Sequence, residues 1–206
     1  EALRVAFEDN RKKLGADHPN TINCMYFQAG VYSLQSKFPE SISLFEETIE
    51  IAKRKMGTDH KTTQRAMSWL ACTLRDAGET DKAIKLFRET LDSQKVKPGL
   101  ENRETLETMD GLSLALLANN ELDEAESLIR ECFEIRKRTK PEGWRRFSTQ
   151  AILGQVLVAQ DKHAEAEPLL TAAYEALKKN EAKIPFRFKR RFRECAESLI
   201  KVYEAT

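Results

Sequence analysis

An all-α solenoid of antiparallel helix pairs is the fold class that this sequence predicts, on three observations. Small residues recur as Ser41, Ala83, Ala125 and Ala166, at intervals of 42, 42 and 41 residues, and a fixed period of that length marks a stacked repeat. A second small residue, Ala29, Ala71, Ser113 or Gly154, stands twelve positions before each of them, where two helices joined by a short turn must approach closely. Large apolar residues follow four and eight positions after the first set, as Phe45 and Ile49, Phe87 and Leu91, Ile129 and Phe133, Leu170 and Tyr174. That i, i+4, i+8 stripe is the buried face of a helix.

Taken in order, Glu1 to Lys13 aligns with Ser43 to Lys55, with Leu3 at the place of Phe45 and Phe7 at that of Ile49. The chain therefore opens partway through a second helix, as an excised piece of a longer protein would. The loop Leu14-Gly15-Ala16-Asp17-His18-Pro19-Asn20-Thr21 returns as Met56-Gly57-Thr58-Asp59-His60-Lys61-Thr62-Thr63, and more faintly as Pro98 to Thr105. In each the Gly ends one helix, Asp17 or Asp59 is the expected N-cap of the next, and Pro19 suits a first turn. First helices are predicted over about 20–36, 62–77, 104–119 and 146–160, with turns at Ser36-Lys37, Gly78-Glu79, Asn119-Asn120 and Asp161-Lys162 leading into the second helices. Past Leu177 a polar stretch and Pro185 break the pattern. A last helix then carries Phe188, Phe192, Cys195, Leu199 and Val202 on one face. The expected organisation is one array over 1–206: the end of a preceding repeat at 1–14, repeats at 15–57, 58–99, 100–140 and 141–180, and a capping or half-repeat helix at 185–206. Leu3, Phe7, Leu199 and Val202 are expected to be exposed apolar residues at its ends.

Composition narrows the function classes. Lys and Arg number 34 against 33 Asp and Glu, and that balance argues against a general nucleic-acid binder, which would be clearly basic. No apolar run approaches the ~18–20 residues of a membrane span. Cys24, Cys72, Cys132 and Cys195 are far apart at small or apolar helix positions, so buried thiols are expected rather than disulfides or a metal site, and a reducing, cytoplasmic compartment fits. Catalysis has no foothold: carboxylates are scattered over exposed helix faces, no Ser or Cys has a nearby His, and no Gly-rich phosphate loop follows a strand. No catalytic residue, cofactor or metal is expected. His18 and His60 read as surface or capping histidines, and Trp69 and Trp144 as packing anchors.

Leu70, Ala71, Leu74, Ala83 and Phe87 together resemble the tetratricopeptide repeat. The period exceeds the usual ~34 residues, and with the loop at Leu14 to Pro19 the longer repeat is similar to the kinesin-light-chain type. HEAT-like helix pairs share the period but lack this residue pattern. A narrower likeness covers the last 65 residues or so: Trp144, Phe147, Thr149-Gln150, Leu153-Gly154, Glu165 to Leu170, Tyr174, Ile184-Pro185 and Tyr203 to Thr206 resemble the closing repeats of tetratricopeptide regions in bacterial proteins, many of which follow a serine/threonine kinase domain. No kinase motif is present in this chain.

The resemblance implies a right-handed α-α superhelix whose first helices line a concave surface for a protein or peptide. The positions it carries over include Tyr26, Arg65, Ser68, Arg75, Glu107, Asp110 and Gln155, a mixture that suits an extended peptide, with Arg forks holding carboxylate or carbonyl groups. The paired Asn of the kinesin-light-chain groove is absent, since Tyr26-Phe27, Ser68-Trp69, Asp110-Gly111 and Ala151-Ile152 stand there. The alternatives are a regulatory or substrate-recruiting domain of a bacterial serine/threonine kinase, and a structural spacer without ligand. Basic residues at the end of every second helix, from Arg11-Lys12-Lys13 to Lys178-Lys179, complement the helix dipole; their sharper reading is a basic ridge for an acidic partner. Phe186, Phe188 and Phe192 interleaved with Arg and Lys match a nucleic-acid platform in composition, but the helical stripe assigns Phe188 and Phe192 to packing, and no nucleic acid or membrane partner is expected.

Overall fold

Ser36, Gly78, Asn120 and Asp161 all adopt positive φ, between 58° and 85°. They occupy one position of the repeat and close each first helix in the same way. The next residue's amide, of Lys37, Glu79, Glu121 or Lys162, donates to the carbonyl of Tyr32, Leu74, Leu116 or Leu157, each time at 2.9 Å. This six-to-one bond satisfies a carbonyl that the helix end leaves open and turns the chain back on itself. The second helix begins two residues later.

The computed structural model describes residues 2–185 and 188–205. Its described residues form ten α-helices: α1 (Ala2–Leu14), α2 (Pro19–Leu34), α3 (Phe38–Met56), α4 (Lys61–Asp76), α5 (Thr80–Val96), α6 (Arg103–Ala118), α7 (Leu122–Thr139), α8 (Trp144–Ala159), α9 (His163–Lys179) and α10 (Lys189–Ala205). These are the predicted helices, displaced by one or two residues at their ends. Two compact units divide the chain between Gly111 and Leu112, inside α6.

In the first unit, α1 packs on α2, α2 on α3, α3 on α4 and α4 on α5, and the first helices α2 and α4 also touch. In the second, α7 packs on α8, α8 on α9, and α10 on both α8 and α9. The predicted stripe is the core of both: Phe45, Phe87, Ile129 and Leu170 are all 0% exposed, each worth about 1.5–3 kcal/mol of burial. The small residues stand where the helices of a pair meet. Ser41 on α3 donates its hydroxyl to the Ala29 carbonyl of α2 at 2.8 Å, and a Cβ on Gly154 of α8 would lie 2.5 Å from Cγ of Leu170 on α9.

The loops between repeats are also copies. Gly15, Gly57 and Gly99 share positive φ, and Thr21, Thr63 and Thr105 each donate a hydroxyl hydrogen to the carbonyl of that Gly at 2.8 Å. Arg146 takes the Thr position in the next repeat, where its Nε donates to the Pro141 carbonyl. The expected Asp caps are replaced by their neighbours. Nδ1 of His18 and of His60 accepts the amide of Asn20 and of Thr62, both at 3.2 Å, and Asn102 does the same for Glu104 at 2.9 Å. Asp17 turns instead to Lys55, at 2.7 Å.

Three further expectations change. Val202 is 0% exposed and Leu199 half-buried; the exposed apolar residues of α10 are Ile200 and Tyr203, at 55% and 57%. Phe7 is half-buried against the Ile22–Met25 cluster, while the side chain of Leu3 lies outside the described residues, as does Phe186. Cys132 and Cys195 are buried, but Cys24 and Cys72 are only half-buried.

Candidate functional site

Tyr26 is the hinge of the first-helix face in the first unit. Its ring lies edge-on to Phe27 at 5.1 Å, to Trp69 at 5.7 Å and to Phe45 at 6.1 Å. Gly30 leaves room for this: a Cβ there would stand 3.0 Å from the Trp69 ring. At 5% exposure, Tyr26 supports the surface more than it forms it.

What Tyr26 supports is Arg65. The guanidinium carbon of this α4 residue lies 5.1 Å from the Tyr26 ring centroid, and its Nη2 donates to the Tyr26 hydroxyl at 3.5 Å. The guanidinium itself is thus held against the ring, a contact worth about 0.5–2 kcal/mol. One turn further, Ser68 and Thr108 share a hydrogen bond of 2.9 Å between α4 and α6, and the Thr73 hydroxyl lies 3.0 Å from that of Ser33 on α2. These two bonds tie α4 to α2 and to α6 beside the anchored cation, with Thr73 and Thr108 buried at 0% and 1% exposure.

The other predicted positions are less available. Arg75 donates through Nε and Nη2 to one oxygen of Asp76, at 3.1 and 2.8 Å, with its side chain 15% exposed. Glu107 accepts from Arg103 Nε at 3.0 Å, and Asp110 is 5% exposed. Gln155 belongs to the second unit, half-buried on α8, and its side-chain nitrogen is buried without a hydrogen-bond partner. The structure therefore brings Tyr26, Arg65 and Ser68 together. Phe27, 51% exposed beside Tyr26, joins them, and Thr108, 1% exposed, supports Ser68 from α6. The signal for Phe27 was its register, one repeat before Trp69.

The basic helix ends of the first unit meet acids of the adjacent repeat and of their own repeat in a repeating ladder. Arg11 pairs with Glu47 at 4.0 Å and Lys53 with Glu89 at 3.1 Å; Lys55 pairs with Asp17 at 2.7 Å and Lys97 with Asp59 at 4.0 Å. Lys55 holds the Asp17 carboxyl below its usual range. These cations are matched within the array and form no unbroken basic ridge.

A second polar cluster joins α7 to α9. Glu126 accepts from Lys162 and from Arg130, each at 2.7 Å, and Arg130 also reaches Glu165 at 2.5 Å. Lys162 above all, with Arg130 and Gln160, holds the Glu126 carboxyl down at about 2. Arg130 and Glu165 edge an open cavity of about 550 Å³ floored by Phe133, Leu153, Pro168 and Leu169. It contains none of the predicted contact residues. Among the described residues no three His, Cys, Asp or Glu side chains converge as metal ligands, and no helix is long and apolar enough to cross a membrane.

Family models described as tetratricopeptide repeat match residues 21–60 and 62–138. No curated protein sequence matches the chain. Among solved structures, the nearly identical TPR-like repeats of a protein assigned as a kinesin light chain of Podosopora anserina superpose with a TM-score of 0.71 at 22% identity, covering 86% of this chain and 85% of that one. A substituted form of the same repeats gives 0.73 at 22% identity, with coverage of 87% and 85%. BtubC (BKLC) from P. vanneervenii gives 0.76 at 16% identity, with coverage of 98% and 87%. These likenesses show the fold.

Proposed function

Because the chain belongs to the tetratricopeptide-repeat family, whose repeats mediate protein–protein interaction, we propose that it is a non-catalytic scaffold receiving a peptide or partner helix on the first-helix face. The observation that carries this reading is the anchoring of Arg65 over the Tyr26 ring. A guanidinium already held against a ring loses little further side-chain entropy on meeting a carboxylate or carbonyl. Half-buried Ser68 and half-exposed Phe27 stand beside Arg65 as the polar and apolar contacts, with Thr108, 1% exposed, holding Ser68 from behind. Arg75, Glu107, Asp110 and Gln155 act at the margins of the reading.

The test is affinity capture with the chain and with its Arg65→Ala/Arg75→Ala variant, read by quantitative mass spectrometry. The variant is expected to keep its circular dichroism and melting temperature while losing its captured proteins. An identical captured set would refute this face, and no specific capture by either form would favour a spacer. The sequence likeness of the C-terminal region to kinase-associated repeats supports a second reading, regulation or substrate recruitment for a serine/threonine kinase. A change in phosphorylation rate when the chain is added to such a kinase domain is its expected sign.

A further inference from the structure

We infer that the surface formed where the first turns of α8 and α10 meet docks a carboxylate-rich acidic segment of a partner protein. This goes beyond the first-helix reading and uses none of its residues. Residues 140–146 and the described residues of 178–197 hold ten Lys and Arg against four Glu, whereas the rest of the chain holds 24 Lys and Arg against 29 Asp and Glu. A nearly neutral protein thus concentrates its positive charge in two short stretches, and the fold brings them together. The Trp144 and Phe188 rings meet at a tilt of 58°, 5.0 Å between centroids, and α8 packs on α10. Lys140, Lys183, Lys189, Arg190 and Arg193 are all exposed around that contact; Arg187 lies outside the described residues.

The contrast with the first unit is what makes the surface a site. There the basic end of a repeat has an acid at the start of the same repeat, Asp17 for Lys55 and Asp59 for Lys97. Stepping the Asp17 and Asp59 position onward by the period, the sequence reads Glu101, Glu142 and then Lys183, so the ladder ends in a cation instead of an acid. Lys140 and Lys183 have no carboxylate partner among the described residues. Arg190 with Glu194 at 2.6 Å, Arg193 with Glu197 at 3.6 Å and Lys189 with Glu181 at 3.9 Å are local pairs, which leave the surplus in place. The first turns of two helices add positive dipole ends to it.

The chemistry favours carboxylates over nucleobases. A single-strand platform needs open aromatic faces, and here they are taken: Arg145 covers Trp144 at 4.4 Å, Phe188 packs at a tilt against Trp144, and Phe192 stacks on Tyr174 at 4.9 Å. What remains outward is guanidinium and ammonium, which grip carboxylates in fork geometry without stacking.

The experiment is fluorescence anisotropy of a labelled dodecapeptide of glutamate titrated with the full chain, in parallel with a labelled oligouridylate of equal length. The peptide is expected to bind and to weaken about tenfold between low salt and about 0.3 M salt. The variant K140Q/K183Q/K189Q/R193Q is expected to lose about tenfold or more in affinity, with its melting temperature kept. The variant K12Q/K13Q/K53Q/K55Q, which removes the same charge from the first unit, is expected to stay within about twofold. Absence of peptide binding, or equal loss in both variants, overturns the proposal. So does oligouridylate binding that is tighter than the peptide's and lost in the first variant, which would assign the surface to nucleic acid.

Discussion

At Gly154 the separation of two helices is set by one missing carbon. A Cβ there would meet Leu170 at 2.5 and 2.6 Å, and Leu170 is itself 0% exposed. Gly154→Ala is therefore expected to lower stability by about 1–3 kcal/mol through overpacking, despite the better helix propensity of Ala. Urea denaturation monitored by circular dichroism checks it, and an unchanged midpoint would mean that α9 yields. This residue was legible in the sequence, because its place in the small-residue register was visible. Other burial was not. The position filled by Ala52 and Leu177 is Gln94 and Arg136 in the repeats between, and all four are buried. Polarity at a single site misreports burial when the neighbouring helix covers it whatever its identity.

At the level of the helix, the caps show how a local choice is made by a distant partner. Asp17 and Asp59 have the right chemistry to cap α2 and α4, but Lys55 and Lys97 of the following helices draw their carboxylates away. The next residue supplies the cap, through a histidine Nδ1 that must be unprotonated to accept. His60→Ala is expected to cost about 1 kcal/mol, as for loss of an N-cap, while His60→Asn restores it in the manner of Asn102. Thermal melting of the two variants separates them, and equal losses would show that the ring acts by packing instead. Helix ends, turns and repeat length were readable from sequence because they rest on bonds within a few residues. The cap residue was not, because the decision passes through an ion pair spanning 38 positions.

On the scale of the whole molecule, stability in acid depends on the α7–α9 cluster. The Glu126 carboxyl lies near 2 in the folded chain against 4.5 for an unperturbed group. The folded state thus favours the carboxylate. Its stabilisation is complete above about pH 4.5 and is lost as pH falls toward 2. Screening at the edge of the cluster keeps the effect on the order of 1 kcal/mol. Glu126→Gln is expected to be less stable at pH 7 and to show a flatter decline between pH 4.5 and 2. Parallel pH–stability curves for the two proteins would contradict this assignment.

By itself the sequence determined the all-α fold, the 42-residue period, the pairing of helices and the stripe that fills the core. Each of these follows from side-chain size at fixed spacing, which a linear pattern displays directly. Only the tertiary structure decided which polar residues are spent. Tyr26, predicted to touch a ligand, is buried as the support of Arg65, Asp110 is enclosed, and the cations of the first unit are matched within and across repeats. It also joined residues 140–146 to 178–197 as one basic surface through the contact of Trp144 with Phe188. Charge and hydrogen bonding act through space between segments far apart in the chain, so their balance appears only once the repeats are stacked.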